Sequence, residues 1–378
     1  MGFHLPLIFV ILSLAAVALA NHAAQPAPQL YWNSVLPNTQ MPRSISELLH
    51  PDSTSEEKST YIVNAVGNGK GKPEIFPLMS NRNYVQSHYG VLNRNYIQSH
   101  YRKCPPPSDE GKPENIPLAR SGYSRKRYGV GPPPSERKRC ARGPPPSDKQ
   151  LLHYKELAIF FFEKDMRPGA TMKFQFTRNS NTATFLPRKS AQSIPFSSNK
   201  LPEIFNHFSV KPTSVEAQTI KQTIEGCEAL GIKGEEKYCA TSLESMIDFS
   251  TSKLGTRNVE AISTEVLESG ATMSMHNYTT MPGLKKLEGD EVVVCHKENY
   301  PYAVFFCHAI KQTAAYVLSL KGDDGEKVKA VTICHLDTSE WDPEHLSFQI
   351  LNVKPGTVPI CHFISTDAIA WVPKHKSA

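Results

Sequence analysis

Four Cys-His dipeptides in the C-terminal part of the chain have the clearest potential for chemistry. They are Cys295-His296, Cys307-His308, Cys334-His335 and Cys361-His362. Intervals of 10, 25 and 25 residues separate them, and Trp371 stands after 8 further residues. Because neighbouring residues of a strand point to opposite faces, a strand through each dipeptide would separate its cysteine from its histidine. We therefore expect disulfides on one face and imidazoles that converge on a metal ion on the other.

Histidine ligands without thiolates favour copper over zinc. Cysteine-bound zinc would need reduced thiols, and the spacing lacks the paired C-x-x-C clusters of structural zinc sites. Imidazole-only ligation on an oxidising route suits copper, with zinc as the less favoured ion. The alternative is that these imidazoles only form hydrogen bonds, but four in one local context favour ligation. The predicted metal ligands, and the catalytic residues if the metal is redox-active, are His296, His308, His335 and His362.

An export signal is predicted at residues 1–20. The apolar run from Leu5 to Leu19 is short for a membrane span, and Ala18-Leu19-Ala20 suits signal peptidase. No other stretch is long and apolar enough to cross a bilayer, so we expect the mature chain to have no transmembrane segment. The chain is therefore expected to enter the secretory pathway, where cysteines tend to pair.

The other cysteines and a glycosylation sequon fit the same route. Cys227 and Cys239 are separated by eleven residues, which favours a local disulfide. Six cysteines in one domain permit 15 connectivities, so the pairing of the four dipeptide cysteines stays open. Cys104 and Cys140 either pair with each other or remain reduced. Asn277-Tyr278-Thr279 predicts N-glycosylation of Asn277.

Residues 51–150 carry internal repeats in place of a core pattern. The segment NRNYVQSHY at Asn81 recurs as NRNYIQSHY at Asn93, and Pro-Pro-Pro-Ser occurs three times. Because these units lack the spaced apolar residues that bury a shared core, the region is predicted to be disordered. Residues 101–150 contain twelve Lys or Arg against five Asp or Glu, a surplus of +7. That charge favours an acidic polysaccharide as a partner, and no nucleic acid is expected.

A folded domain is predicted after the repeats, beginning near Leu151. Its expected class is α+β and β-rich, with the helices in its first half. One helix is predicted to begin near Ser214, because Thr213 and Glu216 match a capping box, and a second is predicted after Thr241. The first helix is expected to share one face among Val215, Ile220, Ile224 and Cys227.

Short apolar runs predict the strands of this domain. Met172, Phe174 and Phe176 alternate with polar residues, as in a half-buried strand. Further strand-like runs are Val292–Val294, Tyr302–Phe306, Ala315–Leu320, Lys327–Cys334, Leu346–Val353 and Val358–Phe363. The segment at residues 21–50 is interpreted as an isolated anchoring peptide with one or two helical turns.

These motifs together resemble the plant BURP domain over residues 155–373. The resemblance rests on three successive phenylalanines at 160–162, on Cys227 and Cys239, and on the pattern CH-x10-CH-x25-CH-x25-CH-x8-W. It implies a single disulfide-stabilised domain preceded by a signal peptide and a variable forepart. Members include seed-storage-associated and dehydration-responsive proteins, a non-catalytic polygalacturonase subunit, and copper-dependent peptide cyclases. The cyclases crosslink Tyr or Trp side chains of core peptides that lie in their own N-terminal regions.

The repeats decide which of these activities the resemblance favours. Their recurring tyrosines are candidate substrates: Tyr84, Tyr89, Tyr96, Tyr101, Tyr123 and Tyr128. The repeats contain no Trp, so only tyrosine-linked rings are expected. The predicted function is autocatalytic, copper-dependent cyclisation of the chain's own core peptides in the apoplast, cell wall or vacuole. The alternative is a non-enzymatic wall or stress protein that binds acidic cell-wall polysaccharide or a wall enzyme.

Overall fold

A computed structural model describes residues 27–49, 160–174, 176, 183–231, 234–268, 275–289 and 291–374. The predicted signal peptide, the repeats with their six tyrosines, Cys104 and Cys140 lie outside these ranges. The described part is a β-rich mixture of helices and strands, in agreement with the predicted class. None of its helices is both long and apolar enough to cross a bilayer.

The helices precede most of the strands along the chain. Two 3-10 helices span Glu163–Met166 and Ser198–Lys200. The α-helices are α1 (Ala27–Val35), α2 (Arg43–Ser46), α3 (Arg188–Gln192), α4 (Leu201–His207), α5 (Val215–Glu228), α6 (Leu243–Lys253) and α7 (Leu346–Leu351).

In the described part of the chain, antiparallel strands build two sheets. The strands are β1 (Thr171–Phe174), β2 (Glu235–Ala240), β3 (Val259–Ile262), β4 (Glu265–Glu268), β5 (His276–Thr280), β6 (Lys285–Lys286), β7 (Val293–Lys297), β8 (Phe305–Ile310), β9 (Thr313–Gly322), β10 (Lys327–His335), β11 (Ile360–Phe363) and β12 (Ile369–Pro373). The larger sheet is ordered β1-β5-β9-β10-β11, with β4 paired to β10 and β6 to β9. The smaller sheet is ordered β2-β8-β7-β12-β3.

The two sheets pack against each other through one shared apolar cluster. Val294 and Ala370 contribute from the smaller sheet, and Val331 and Ile333 contribute from the larger sheet. Alternate residues of the same strands point away from this interface. In β7, for example, Val293 belongs to a different cluster, which covers the outer face of the smaller sheet. The strands β7, β12 and β3 of the smaller sheet are therefore buried on both faces.

The N-terminal segment at residues 27–49 is part of this outer cluster, which differs from the isolated peptide expected from the sequence. Trp32 and Ile45 are buried with Trp371 and with residues of α6. The Trp32 and Trp371 rings lie 5.6 Å apart between centroids. A local sequence pattern does not reveal this packing, because the partners of the segment lie more than 130 residues later in the sequence.

The helix starts were predicted close to their observed positions. The side chain of Ser214 accepts a hydrogen bond from the Ala217 amide and caps α5. Ser242 and Ser245 form the capping box of α6, one residue later than Thr241. Val215 is 73% exposed, so it does not share the buried face of α5 with Ile220 and Ile224.

One predicted strand is a helix. Leu346–Leu351 forms α7, where the sequence indicated a strand over Leu346–Val353. The imidazole of His345 accepts a hydrogen bond from the Ser347 amide and caps the helix. Asn352 takes a left-handed conformation, φ 54° and ψ 50°, at its end. A short apolar run does not distinguish a buried strand from a buried helix, and here the caps favour the helix.

Candidate metal centre

Each disulfide of the dipeptides joins two neighbouring antiparallel strands. Cys295 in β7 lies opposite Cys307 in β8, and the two are bonded. Cys334 in β10 lies opposite Cys361 in β11, and these are also bonded. The first dipeptide is thus linked to the second and the third to the fourth. This resolves the pairing that the sequence left open.

Strand alternation puts the cysteines and the histidines on opposite faces, as predicted. Cys295 and Cys307 belong to the cluster on the outer face of the smaller sheet. Cys334 and Cys361 belong to a third cluster on the outer face of the larger sheet. The neighbouring histidines therefore point into the space between the sheets, two from each sheet.

His296 and His308 form the pair from the smaller sheet. Their Nε2 atoms are 3.3 Å apart, and both side chains are partly exposed. On its other side, Nδ1 of His308 lies 2.9 Å from Oε1 of Glu235 in β2. When this carboxylate accepts the Nδ1 proton, Nε2 of His308 keeps its lone pair.

His335 and His362 form the pair from the larger sheet. Their rings stack with 5.5 Å between centroids. Nδ1 of His362 donates to the Phe363 carbonyl at 3.1 Å. Nδ1 of His335 lies 3.5 Å from the hydroxyl oxygen of Thr313, and that hydroxyl donates its own proton to Ile310. Both rings are thus oriented with Nε2 as the nitrogen available for a ligand bond.

Burial keeps the second pair uncharged. It lowers the pKa of His335 well below its ordinary value, and the nearby His362, His308 and His345 lower it further. Burial likewise lowers the pKa of His362 to about 4. A metal binds the neutral imidazole, so these two rings are in the protonation state that ligation requires at neutral pH.

Aromatic residues that the sequence analysis did not single out line the same site. The ring of Trp341 is partly exposed, and its centroid lies 4.9 Å from that of His335 and 4.8 Å from that of His345. The centroid of the Phe160 ring lies 5.8 Å from that of His345 and 6.3 Å from that of His362. His345 differs from the dipeptide histidines, because its Nδ1 accepts from the Ser347 amide and its Nε2 then carries the proton.

The expected convergence of the four dipeptide histidines is not seen in this structure: they form two pairs, and no three of their ring nitrogens lie within 4.8 Å of one another. Among the described residues, the one group of three candidate ligands whose atoms all lie within 4.8 Å is a different one, His276 with Asp323 and Asp324. There, Nδ1 lies 2.9 Å from Asp323 and Nε2 lies 3.2 Å from Asp324. This geometry is that of a histidine between two carboxylates, and it links β5 to the turn after β9.

The remaining predicted site residues lie away from the histidines or outside the described ranges. Cys227 and Cys239 form the expected local disulfide, which joins α5 to β2. Asn277 is exposed on β5, and its amide donates to Asp323 at 3.1 Å. Its glycosylation stays a prediction, as does the role of the six repeat tyrosines.

Comparison with known proteins gives matches along the whole chain. The family model described as BURP domain matches residues 159–373. BURP domain protein RD22 of Arabidopsis thaliana is 39% identical over 98% of this chain and 99% of its own length. BURP domain-containing protein 5 of Oryza sativa subsp. japonica is 36% identical over 94% and 90%. Protein RAFTIN 1B of Triticum aestivum is 29% identical over 97% and 98%. The similarity therefore includes the residues before the matched domain.

Proposed function

This chain belongs to the BURP domain family, and from that membership we propose that it is a secreted, copper-dependent cyclase of its own tyrosine repeats. The supporting observation is the set of four imidazoles between the sheets. His335 and His362 are neutral by burial, and the Nδ1 atoms of His308, His335 and His362 face acceptors. Imidazole nitrogens suit copper, and we propose that binding of one ion draws the two pairs together.

The protein's own residues orient the ligands and shape the site. Glu235 and the Phe363 carbonyl hold Nδ1 of His308 and His362, and the Thr313 hydroxyl faces Nδ1 of His335 at 3.5 Å. Trp341, partly exposed beside His335, offers a flat ring against which a phenol can stack. Copper held by these histidines would supply a one-electron acceptor for that phenol, which zinc would not.

The position of Phe160 supports delivery of the repeats within one chain. It packs beside His345 and His362, and it lies ten residues after the end of the repeat region at residue 150. Tyr128 precedes it by 160 − 128 = 32 residues, an extended reach of about 110 Å. Each candidate tyrosine is thus attached to the site by a stretch of chain long enough to reach it. Because substrate and site belong to one molecule, no separate binding step is needed.

The proposed reaction is a two-electron oxidation that forms one ring-closing bond. The O–H bond of a tyrosine and one C–H bond of a neighbouring residue are broken. One new bond joins the two residues, and two protons and two electrons leave. Dioxygen accepts both and becomes hydrogen peroxide, so the product is lighter by about 2 Da per crosslink.

Mass measurement on the repeats tests this proposal. The purified full chain is incubated with Cu(II) and dioxygen and digested, and the fragments of residues 71–150 are weighed. We expect a loss of about 2 Da for each crosslink, located at the tyrosines by fragmentation. Incubation with Zn(II) in place of Cu(II) is the matched control and should leave the masses unchanged. Unmodified fragments with Cu(II) under every redox condition would refute the cyclase.

The metal assignment has its own test. His308→Ala and His335→Ala each remove one ligand from a different sheet, and we expect both to abolish stoichiometric copper binding while the domain stays folded. His207→Ala, on the exposed end of α4, is the control and should bind copper normally. Copper content by elemental analysis and folding by circular dichroism give the two readouts. Wild-type copper content in both site variants would contradict the assignment.

The basic repeat region supports a second candidate function, in which the chain is a non-enzymatic wall or stress protein. Its surplus of +7 over residues 101–150 is suited to an acidic polysaccharide. Retention on immobilised pectate should then be lost at moderate salt and on deletion of residues 71–150. Retention that persists in the deletion variant would count against this candidate.

A further inference from the structure

The N-terminal segment at residues 27–49 completes the core of a domain from which it is separated by 159 − 50 + 1 = 110 residues of chain. Trp32 is 2% exposed, Leu36 is 1% exposed and Ile45 is fully buried. They pack with Trp371 of β12 and with Met246 of α6. These side chains are as deeply buried as those of a domain core. The outer face of the smaller sheet is therefore covered by a segment that lies outside the residues matched by the BURP family model.

Polar contacts fix the segment in a single position. The Trp32 indole donates to the Thr39 carbonyl at 3.1 Å, which closes the turn after α1. The Thr39 hydroxyl donates to the Val259 carbonyl at 2.7 Å, and the Phe185 amide donates to the Leu48 carbonyl at 3.1 Å. Lys374 donates to the Asn38 carbonyl. The segment is thus bonded to both ends of the domain as well as to its middle.

A cluster of charged and hydrogen-bonded side chains also holds the segment at the rim of its contact with the domain. The Tyr31 hydroxyl donates to Asp248 of α6, and Arg188 of α3 pairs with the same carboxylate at 2.6 Å. The Arg188 guanidinium also lies 5.0 Å from the centre of the Tyr31 ring. Three separate parts of the chain therefore meet at this edge.

No covalent bond between described residues holds the segment in place. Residues 27–49 contain no cysteine. The six cysteines of the domain pair with one another. The attachment is therefore non-covalent apart from the intervening chain, and that chain is the one that carries the repeats.

We infer that residues 27–49 remain bound to the domain after the chain between them is cut, so that excision of the repeats leaves an intact two-chain protein. The repeat region is then an internal segment of the chain. It is joined to the folded part beside Leu48 at one end and at Phe160 at the other. Peptides can leave by cleavage at both ends without exposing the apolar face of the smaller sheet. This inference does not depend on crosslinking or on copper.

The test uses the full chain with recognition sequences for one site-specific protease inserted after residues 55 and 150. After complete cleavage without copper, the N-terminal fragment should elute with the domain from a sizing column at about 1 μM. It should separate only in denaturant, as judged by mass spectrometry. Separate elution of the fragment, or unfolding of the domain on cleavage, would overturn the inference.

Single substitutions sharpen the test. The dissociation rate of the fragment is measured in excess labelled peptide of residues 27–49. Trp32→Ala should raise it about 100-fold or more, as expected for removal of a buried aromatic ring. Thr39→Val, which deletes one hydrogen bond and keeps the side-chain volume, should raise it about fivefold. Leu30→Ala, on the exposed side of α1, is the matched control and should change it less than about twofold. Equal rates in all three variants would contradict the docked geometry.

Discussion

The acceptors that face Nδ1 determine how the histidines of the site are used. Glu235 faces His308, and Thr313 faces His335. Each such contact selects the tautomer with a lone pair on Nε2 and fixes the plane of the ring. The negative charge of Glu235 also makes the His308 imidazole a stronger electron donor. The neutral Thr313 hydroxyl has no such effect on His335. We therefore expect Glu235 to have the larger effect on metal affinity.

Replacing Glu235 by Ala should weaken copper binding by about 10- to 100-fold, because His308 loses the group that orients it. Glu235→Gln keeps an acceptor but loses the charge, so it should lie between Ala and the wild type. Affinity is measured by competition with a copper chelator of known strength. Glu236→Ala is the control, since Glu236 is the next residue and is exposed. Equal affinities for the Ala variants at both positions would rule out an orienting role.

Buried neutral histidines make the stability of the metal-free domain depend on pH. The folded pKa of His362 is about 4, while that of the unfolded chain is 6.5. Below pH 6.5 the unfolded state binds more protons, so stability falls as the pH is lowered from 6.5 towards 4. The loss from this one group approaches about 3 kcal/mol. His362→Gln should reduce the slope of the unfolding free energy, measured by urea denaturation, against pH over that interval, while buried His335 keeps part of the dependence. An unchanged slope would contradict the assigned burial effect.

At the scale of elements, the dipeptide strands were the most predictable part of the site. Alternation along a strand requires adjacent residues to face opposite sides, so the separation of Cys295 from His296 followed from the sequence. The pairing of strands did not, because each disulfide depends on which strands become neighbours. Glu235 was missed for the same reason. It stands in β2, opposite Ile310 at the end of β8, and no local pattern connects it with His308.

The Cys334–Cys361 disulfide should be needed for the second histidine pair. β11 is short, and it pairs with β10 and by a single bridge with Phe161. Cys334→Ala with Cys361→Ala should lower stability by about 2–5 kcal/mol and weaken copper binding, because the strand that carries His362 loses its crosslink.

Ile204→Ala provides the control for that loss of stability. Ile204 of α4 is fully buried in an apolar cluster with Ile220 and Ile224 of α5, and this cluster contains none of the dipeptide residues. Its truncation should cost a comparable amount, about 2–5 kcal/mol. Its copper affinity should remain that of the wild type. If both variants weaken copper binding equally, the effect follows from general destabilisation and not from the disulfide.

At the scale of the whole molecule, strand β12 packs against the N-terminal segment at residues 27–49. The apolar residues of the segment at 27–49 were visible in the sequence, but their destination was not, because Trp371 lies 371 − 32 = 339 residues after Trp32. Such long-range contacts leave no periodic signal. The consequence is that the repeats are joined to the folded body at both ends, and each end can hold them near the histidines.

Cuts at either end of the repeats distinguish these two attachments. A cut after residue 55 leaves the repeats attached through Phe160, and crosslinking should remain independent of protein concentration. A cut after residue 150 leaves them attached through the docked segment, and Tyr128 is then 128 − 49 = 79 residues from Leu49 in place of 32 from Phe160. Since effective concentration falls with about the −3/2 power of chain length, its crosslinking should slow about fourfold but stay intramolecular.

Only cuts at both ends should make the rate proportional to protein concentration, because the repeats are then a separate molecule. The rate is followed by the loss of mass in the repeat fragments over a range of dilutions. Adding Trp32→Ala to the cut after residue 150 should shift the concentration dependence towards that of the double cut, since the docked segment then dissociates faster. A concentration-dependent rate after the single cut at 150, with Trp32 intact, would show that the docked segment does not tether them. Absence of any mass loss in the uncut chain would instead refute the cyclase and leave the docking unaffected.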